Sequence, residues 1–335
     1  MTRMKSPKLR LSTCCIFLFA FGCGDRDCDQ WYSFETPPEI RGGVIGDRTF
    51  YYGEAGLLTG VNNARFWPPD QLSPTETHTT AELLHMHAHG PTMLIVGTAG
   101  TIRYSLDDAK TWQIPEAPAL STALFSVDTA CSQSKTSIAV GQSGTILRTD
   151  DLAHWSLVPS PVSTSLHDIA ILTFEAIAVG DAGTVLVSKD LGLTWQPVDL
   201  GIADDIIQMS FPACADPDQP ADQPGLLMTS GGHFYSRDPF SGKWQRQLPD
   251  APGEPSAMLV FDHLGLDSFG GFRVQVAIGT QLWVMNPRET GDLSNQAWVL
   301  KNDFQAPILS IFDESAVLTQ GEAHYYRDGY RCSQD

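Results

Sequence analysis

The chain has 335 residues, 42% of them hydrophobic and 18% charged, with 29 glycines and 22 prolines. Sparse charge and abundant turn formers exclude a bundle of long helices and a disordered chain, and favour many short strands around one sizeable core. A formal net charge of −18 excludes a nucleic-acid backbone as an electrostatic partner and opposes anionic lipid, whereas cationic partners or metal ions suit it.

The first predicted element is a targeting segment over residues 1–22. Arg3, Lys5, Lys8 and Arg10 form a basic start, and residues 11–22 are uncharged and mostly apolar. A helix of that length reaches only ~18 Å, against ~30 Å of hydrocarbon, so the segment reads as a signal peptide and not as a membrane-spanning anchor. Ala20-Phe21-Gly22-Cys23 resembles the lipobox of bacterial lipoproteins. That resemblance implies a lipidated Cys23 at the start of a mature domain over residues 23–335, with plain secretion as the alternative. Export removes four basic residues and no acidic one, so the mature chain is still more acidic. It also removes Cys14 and Cys15, and lipid consumes Cys23. Cys28, Cys131, Cys214 and Cys332 remain, an even number suited to two disulfides in an oxidising compartment.

Beyond this segment tryptophan sets a period. Trp31, Trp67, Trp112, Trp155, Trp195, Trp244 and Trp298 follow one another at intervals of 36, 45, 43, 40, 49 and 54 residues. Those intervals bracket a four-stranded propeller blade. The eighth tryptophan, Trp283, sits inside an apolar strand pattern. Between tryptophans runs a glycine hairpin. Val96-Gly97-Thr98-Ala99-Gly100-Thr101-Ile102 matches Val140-Gly141-Gln142-Ser143-Gly144-Thr145-Ile146 and Val179-Gly180-Asp181-Ala182-Gly183-Thr184-Val185. Glycine there admits positive φ in a tight turn. A phosphate-cradling loop needs a helix after its second glycine, and a β-branched strand follows here. Weaker copies at Gly53-Glu54-Ala55-Gly56, Ser230-Gly231-Gly232, Ile278-Gly279-Thr280 and Gln320-Gly321-Glu322 bring the total to seven.

A polar turn then leads into the tryptophan. Ser188-Lys189-Asp190-Leu191-Gly192-Leu193-Thr194-Trp195 carries the pattern Ser-x-Asp-x-Gly-x-Thr-Trp in full. Ser105-Leu106-Asp107-Asp108-Ala109-Lys110-Thr111-Trp112 departs from it at Ala109. The copy ending at Trp155 is one residue short, and that ending at Trp244 one long. The aspartate is expected to accept backbone N–H bonds across the turn while the tryptophan packs against the strand in front, an architectural staple.

The last repeat supplies strands over 308–312, 316–320 and 323–327 but no tryptophan. The missing strand stands at Trp31-Tyr32-Ser33-Phe34. The expected fold is therefore all-β, a seven-bladed β-propeller whose last blade is closed by an N-terminal strand. Cys28 and Cys332 flank that seam and are expected to form a disulfide. Cys131 and Cys214, in loops opening on one face, are the second candidate pair.

The turn motif resembles the Asp-box, or BNR, repeat of the Asp-box propeller superfamily. The Val-Gly-x-x-Gly-Thr-Ile stretch resembles the photosystem II assembly factors within it, most strongly over residues 90–200. The resemblance implies a seven-bladed binding propeller in an exported compartment. Those factors bind through a basic surface, whereas this chain is acidic, with Arg103 and Arg148 alone in comparable third-strand positions. The fold carries over, and the photosynthetic role does not.

Candidate chemistry gathers in three places. His85, His87 and His89 alternate, so in a strand all three imidazoles share a face, and neighbours two apart suit Zn²⁺ or Cu²⁺. Aligned with His167, Ile169 and Ile171 two blades on, the same face reads as packing or channel lining; His78 is a further possible ligand. Asp128, Asp262 and Asp313 each follow a first strand, after Val127, Phe261 and Phe312, and could ring one mouth of the channel. Asp-boxes also occur in sialidases, but no Phe/Tyr-Arg-Ile-Pro segment is present, and the few arginines assemble no triad. The insertions over 211–225 and 285–296 suit partner contact. The expected function is thus a non-enzymatic cell-envelope binding or assembly scaffold, monomeric, lipid-anchored and facing the periplasm or cell surface. It needs no cofactor and takes a protein or glycan partner. A sialidase-like glycoside hydrolase and a periplasmic metal-binding protein are the alternatives.

Overall fold

The computed structural model describes residues 30–45, 49–61, 73–130, 135–211, 225–238, 241–246, 250–262, 272–285, 298–313, 316–320 and 322–327. Cys23, Cys28, Cys131, Cys214, Cys332, Trp67 and the interiors of both insertions lie outside the described residues.

Seven antiparallel sheets succeed one another along the chain. Their first strands are Ile40–Ile45, Leu83–His89, Leu124–Thr129, Leu166–Ile171, Ile206–Ser210, Ala257–Asp262 and Ile308–Asp313, which number the blades 1 to 7. Each first strand packs on that of the next blade, and the seventh packs on the first, so the ring closes. Later strands of each blade lie progressively outward; in blade 2 a single Tyr104–Gln113 bridge stands in for the fourth. This is a seven-bladed β-propeller.

The seam closes as the repeat count requires. Blade 7 takes Gln30–Glu35 as its outer strand, paired antiparallel to Glu322–Arg327 from Gln30 opposite Arg327 to Glu35 opposite Glu322. Next to this seam His324 is largely covered, against the Phe304 ring 4.5 Å away between centroids, and shares a 2.9 Å hydrogen bond with Thr319 Oγ1. Burial pushes the imidazole down to about 4. A histidine held neutral in the fold but free to protonate when unfolded stabilises fully above its ordinary range, and that stability drains away as pH falls towards 4. His324→Phe is therefore expected to lose about 2–3 kcal/mol less than the wild type between about pH 7.5 and pH 4. Parallel denaturant curves at the two pH values check this, and equal losses would refute it.

The glycine turns use their two glycines differently. Gly97, Gly141 and Gly180 are extended, with φ of −168°, −173° and −173°, so left-handed freedom is not what they supply. They supply room. A Cβ on Gly180 would lie 1.9 Å from the Ser165 carbonyl oxygen, which accepts the Asp181 N–H at 3.0 Å. The second glycine does adopt positive φ, 66° at Gly183, after Ala182 at 52°. The residues between form a single 3-10 turn. The copy at Gly53 has the same form, with a Cβ there 2.0 Å from the Glu39 oxygen. Gly180→Ala must push the linker off the blade, and is expected to cost ~1–3 kcal/mol as overpacking against backbone. A chemical denaturation midpoint unchanged from wild type would show that the linker yields freely.

The polar turns form the expected bonds. Ser188 Oγ accepts from Gly192 N at 2.7 Å, and Asp190 accepts from Thr194 N at 2.8 Å and Thr194 Oγ1 at 2.7 Å. Ser105, Asp107 and Thr111 repeat the arrangement, with Ala109 tolerating φ of 58° where blade 4 has Gly192. These bonds hold both aspartates ionised, near 2. The tryptophans reach further than a hairpin staple. Trp195 packs among Ile138, Val140 and Ile146 of blade 3 as well as Leu166 and Ala178 of its own blade. Trp155 and Trp112 sit in the same way between blades 2 and 3 and blades 1 and 2. Each motif thus fastens its blade to the preceding one.

Candidate functional site

The strand Leu83–His89 lines the ring beside Leu124–Thr129, and the histidines meet the next blades there. Met86 turns into the core, while His85 and His87 face the neighbouring first strands. His85 Nδ1 accepts the Val127 N–H at 3.3 Å. His87 Nδ1 stands 3.1 Å from Asp128 Oδ1, and its Nε2 is buried without a hydrogen-bond partner. Asp128 in turn accepts from Thr129 N at 2.8 Å and, across the next interface, from Ile171 N at 2.7 Å. Burial pushes Asp128 up to about 6 against those two bonds, and pushes His87 down to about 4, helped by His89. His85 is likewise lowered by burial and Asp168 raised by it, each partly offset by attraction to the other.

The same device continues around the ring. Asp168 accepts Ser126 Oγ at 2.8 Å from the blade before and Met209 N at 2.8 Å from the blade after. Gln208 clasps Met258 by both backbone groups, each at 2.8 Å. Ser256 Oγ donates to Ile308 O at 3.4 Å, and Tyr52, pushed up to about 12 by burial, bonds the Met86 backbone. A polar side chain therefore crosses each interface from blade 1 to blade 7 and ends on backbone. A first strand has one edge unpaired, and these side chains satisfy backbone groups that no ladder reaches.

Asp168 and Gln208 escape a reading based on residue type alone. The earlier alignment of His85 with His167 is one residue out. Strands Leu83–His89 and Leu166–Ile171 both carry a bulge, and with Leu83 opposite Gly97 and Leu166 opposite Gly180, His85 corresponds to Asp168. Aligning each first strand on the residue it faces at the turn, Gly97, Gly141, Gly180 and Thr229, puts His85, Ser126, Asp168 and Gln208 in one polar column. That column is the signal that was available. Among the described residues no three His, Cys, Asp or Glu side chains converge as a metal site. Asp262 and Asp313, expected just after their first strands, are the last residues of those strands.

Five arginines are engaged in separate places. Arg103 Nε and Nη2 donate to the Thr77 and His78 carbonyls, each at 2.8 Å, pinning the linker between blades 1 and 2. Arg148 donates to Leu191 O at 2.8 Å, in the polar turn of blade 4, and to both oxygens of Asp150 at 2.6 Å. Arg41 pairs with Glu54, Arg237 with Glu175 and Arg246 with Asp250. Arg103 and Arg148 thus bind the chain to itself. Beside the linker of blades 1 and 2, Gly56 and Thr75 to Thr80 line a shallow depression of about 610 Å³ that includes His78.

Comparison of the fold with solved structures gives clear likenesses. A structure of YCF48 bound to a D1 peptide superposes with a TM-score of 0.62 at 16% identity, covering 90% of this chain and 98% of that one. YCF48 from Cyanidioschyzon merolae gives 0.62 at 13% identity, with 89% and 98% covered. The computationally designed Ika8 protein gives 0.59 at 12%, with 88% and 98%. The chain shares the YCF48 fold. No family model and no curated protein matches its sequence.

Proposed function

We propose that this chain is a non-enzymatic, lipid-anchored propeller of the cell envelope that serves as a binding scaffold for a protein. The observation that carries the reading is the likeness, over 90% of the chain, to a propeller solved with a peptide bound. The ring chemistry supports it. Asp128, Asp168 and Gln208 are spent on backbone N–H groups of adjoining blades, which suits a rigid platform. The bonded Ser-x-Asp turns support a place among Asp-box propellers, and the lipobox at Cys23 supports export and anchoring. The test is purification of the tagged chain from detergent-extracted membranes of its native host, followed by gel filtration and quantitative mass spectrometry. One envelope protein at equal stoichiometry, retained through the column, is expected. A lone chain carrying stoichiometric zinc or copper would transfer the function to the histidine strand, and turnover of a sialoside would make it an enzyme.

A further inference from the structure

We propose that the mouth of the central channel on the glycine-turn side takes a lysine side chain of the partner protein, its stem against an apolar collar and its ammonium above Asp168. The inference rests on the protein-binding reading and names what that partner presents. The collar comes from a repeated irregularity. Six of the seven first strands carry a β-bulge at the same place, one residue in from the glycine-turn end, and only that of blade 6 pairs without a shift. The extra residues are Arg41, Leu84, Phe125, His167, Ile207 and Leu309, each partly exposed. A bulge leaves its residue outside the ladder and re-aims the side chain. Because each first strand packs on the next, the six form one tier around the mouth. Phe125 of blade 3 stacks on His167 of blade 4 with ring centroids 5.7 Å apart, while Ile207 and Leu309 each lean on the apolar core between their own blade and the next.

Beneath the collar the wall is acidic. By sequence the seven first strands hold four aspartates, Asp128, Asp168, Asp262 and Asp313, no lysine, and Arg41 as their one arginine. Arg41 is spent at the rim, on Glu54 and on the Pro38 and Ile40 carbonyls. Asp168 stands in the tier directly below the collar. Its Oδ1 accepts from Ser126 Oγ at 2.8 Å and Ile169 N at 2.9 Å, and its Oδ2 from Met209 N at 2.8 Å. Asp128, two residues beyond the Ser126 level, accepts from Thr129 N and Ile171 N. All these donors are neutral, and both oxygens of each group accept, as a carboxylate does. Neither nearby imidazole supplies charge, since His85 Nδ1 accepts the Val127 N–H and burial holds His85 and His87 below their ordinary range. An apolar entrance above uncompensated carboxylates fits lysine, whose four-carbon stem covers apolar surface while its compact ammonium acts as a point charge. An arginine fork docks on both oxygens of one carboxylate, and those of Asp168 and Asp128 already hold backbone donors.

The probe is Nα-acetyl-lysine N-methylamide, titrated into the full mature chain and followed through the imidazole proton signals of His85 and His167. Saturable shifts with half-saturation in the millimolar range are expected. The norleucine counterpart, which keeps the stem and lacks the ammonium, and the Nε-acetylated counterpart should each bind roughly ten-fold more weakly. Asp168→Asn should weaken the probe by a similar factor, but it removes an acceptor from Met209 N and the ring could fail to form. Leu84→Lys therefore decides. It sets a lysine of the chain's own in the collar, at a partly exposed position, and should abolish probe binding with an unchanged melting curve. No saturable shift would overturn the inference, as would equal binding of the lysine and norleucine probes or a site that Leu84→Lys leaves untouched. A co-purifying partner retained by Leu84→Lys would overturn it too, while the scaffold reading stood. Probe binding in a chain with no co-purifying protein would do the reverse, leaving the channel as a site for a free alkylammonium.

Discussion

Replacing Trp195 with alanine is expected to cost about 3–5 kcal/mol, the range for a buried aromatic whose cavity collapses only in part. Trp195 is 5% exposed and touches both walls of an interface, Ile138, Val140 and Ile146 on one side and Leu166, Ala178 and Leu186 on the other. Its indole nitrogen has no hydrogen-bond partner, so the loss is one of packing and not of a polar contact. Blade 3 cannot slide in to fill the space, because Gly192 already brings the polar turn against Ile138, where an added Cβ would lie 2.4 Å from Cδ1. Leu193→Ala, two residues away and exposed, is expected to fall within ~0.5 kcal/mol and serves as the control. Denaturant unfolding of the two variants beside the wild type decides the matter. A Trp195→Ala loss below ~1 kcal/mol would mean that the blades are not joined through this residue.

The architecture was legible because each blade repeats one spacing constraint. Tryptophan marks the interface, and glycine marks a carbonyl that passes too close for any Cβ, as at Gly97 and Gly180. Both are set by sterics within about forty residues of chain and so leave a local trace. The seam was legible for the same reason, since Gln30–Glu35 is the one strand the repeat count lacks at the C-terminal end. The chemistry of the ring left a fainter trace. His85, His87 and Asp128 stand out by type, and residue type suggested ligands, yet His85 and Asp128 are taken by backbone N–H groups one blade away, and His87 stands against the Asp128 carboxylate. No side-chain pattern announces a backbone partner. The bulges at Leu83 and Leu166 obscured the column further, since an alternation counted by eye slips by one residue there. The direction in which the tryptophans reach, towards the preceding blade, depends on how sheets stack and not on any motif.

Glu175 supplies the other large effect, and it concerns how blade 4 meets blade 5. It lies in the loop after Ile171, 8% exposed, and its two carboxylate oxygens receive Arg237 Nη2 from the third strand of blade 5 and Lys189 Nζ from the polar turn of its own blade. Arg237 is equally buried, whereas Lys189 is largely exposed. Glu175→Ala leaves a guanidinium inside the interface without its counter-charge, and removal of one partner from a buried pair costs about 3–5 kcal/mol. Lys189→Ala removes only a solvated partner and is expected to cost at most ~1 kcal/mol, falling with added salt. The two buried charges stabilise each other chiefly by cancelling a desolvation penalty, so Glu175→Leu with Arg237→Met should recover most of what Glu175→Ala loses. Unfolding curves for Glu175→Ala, Lys189→Ala, Arg237→Met, Glu175→Leu and the double variant give the coupling. Equal costs for Glu175→Ala and Lys189→Ala would place the important contact at the surface, and a double variant no better than Glu175→Ala would make the interface depend on the shape of these side chains rather than their charge. If the coupling is as large as the burial implies, the blade 4–5 angle is fixed from the same face that carries Phe174 and Leu193, because Glu175 follows Phe174 directly in the chain.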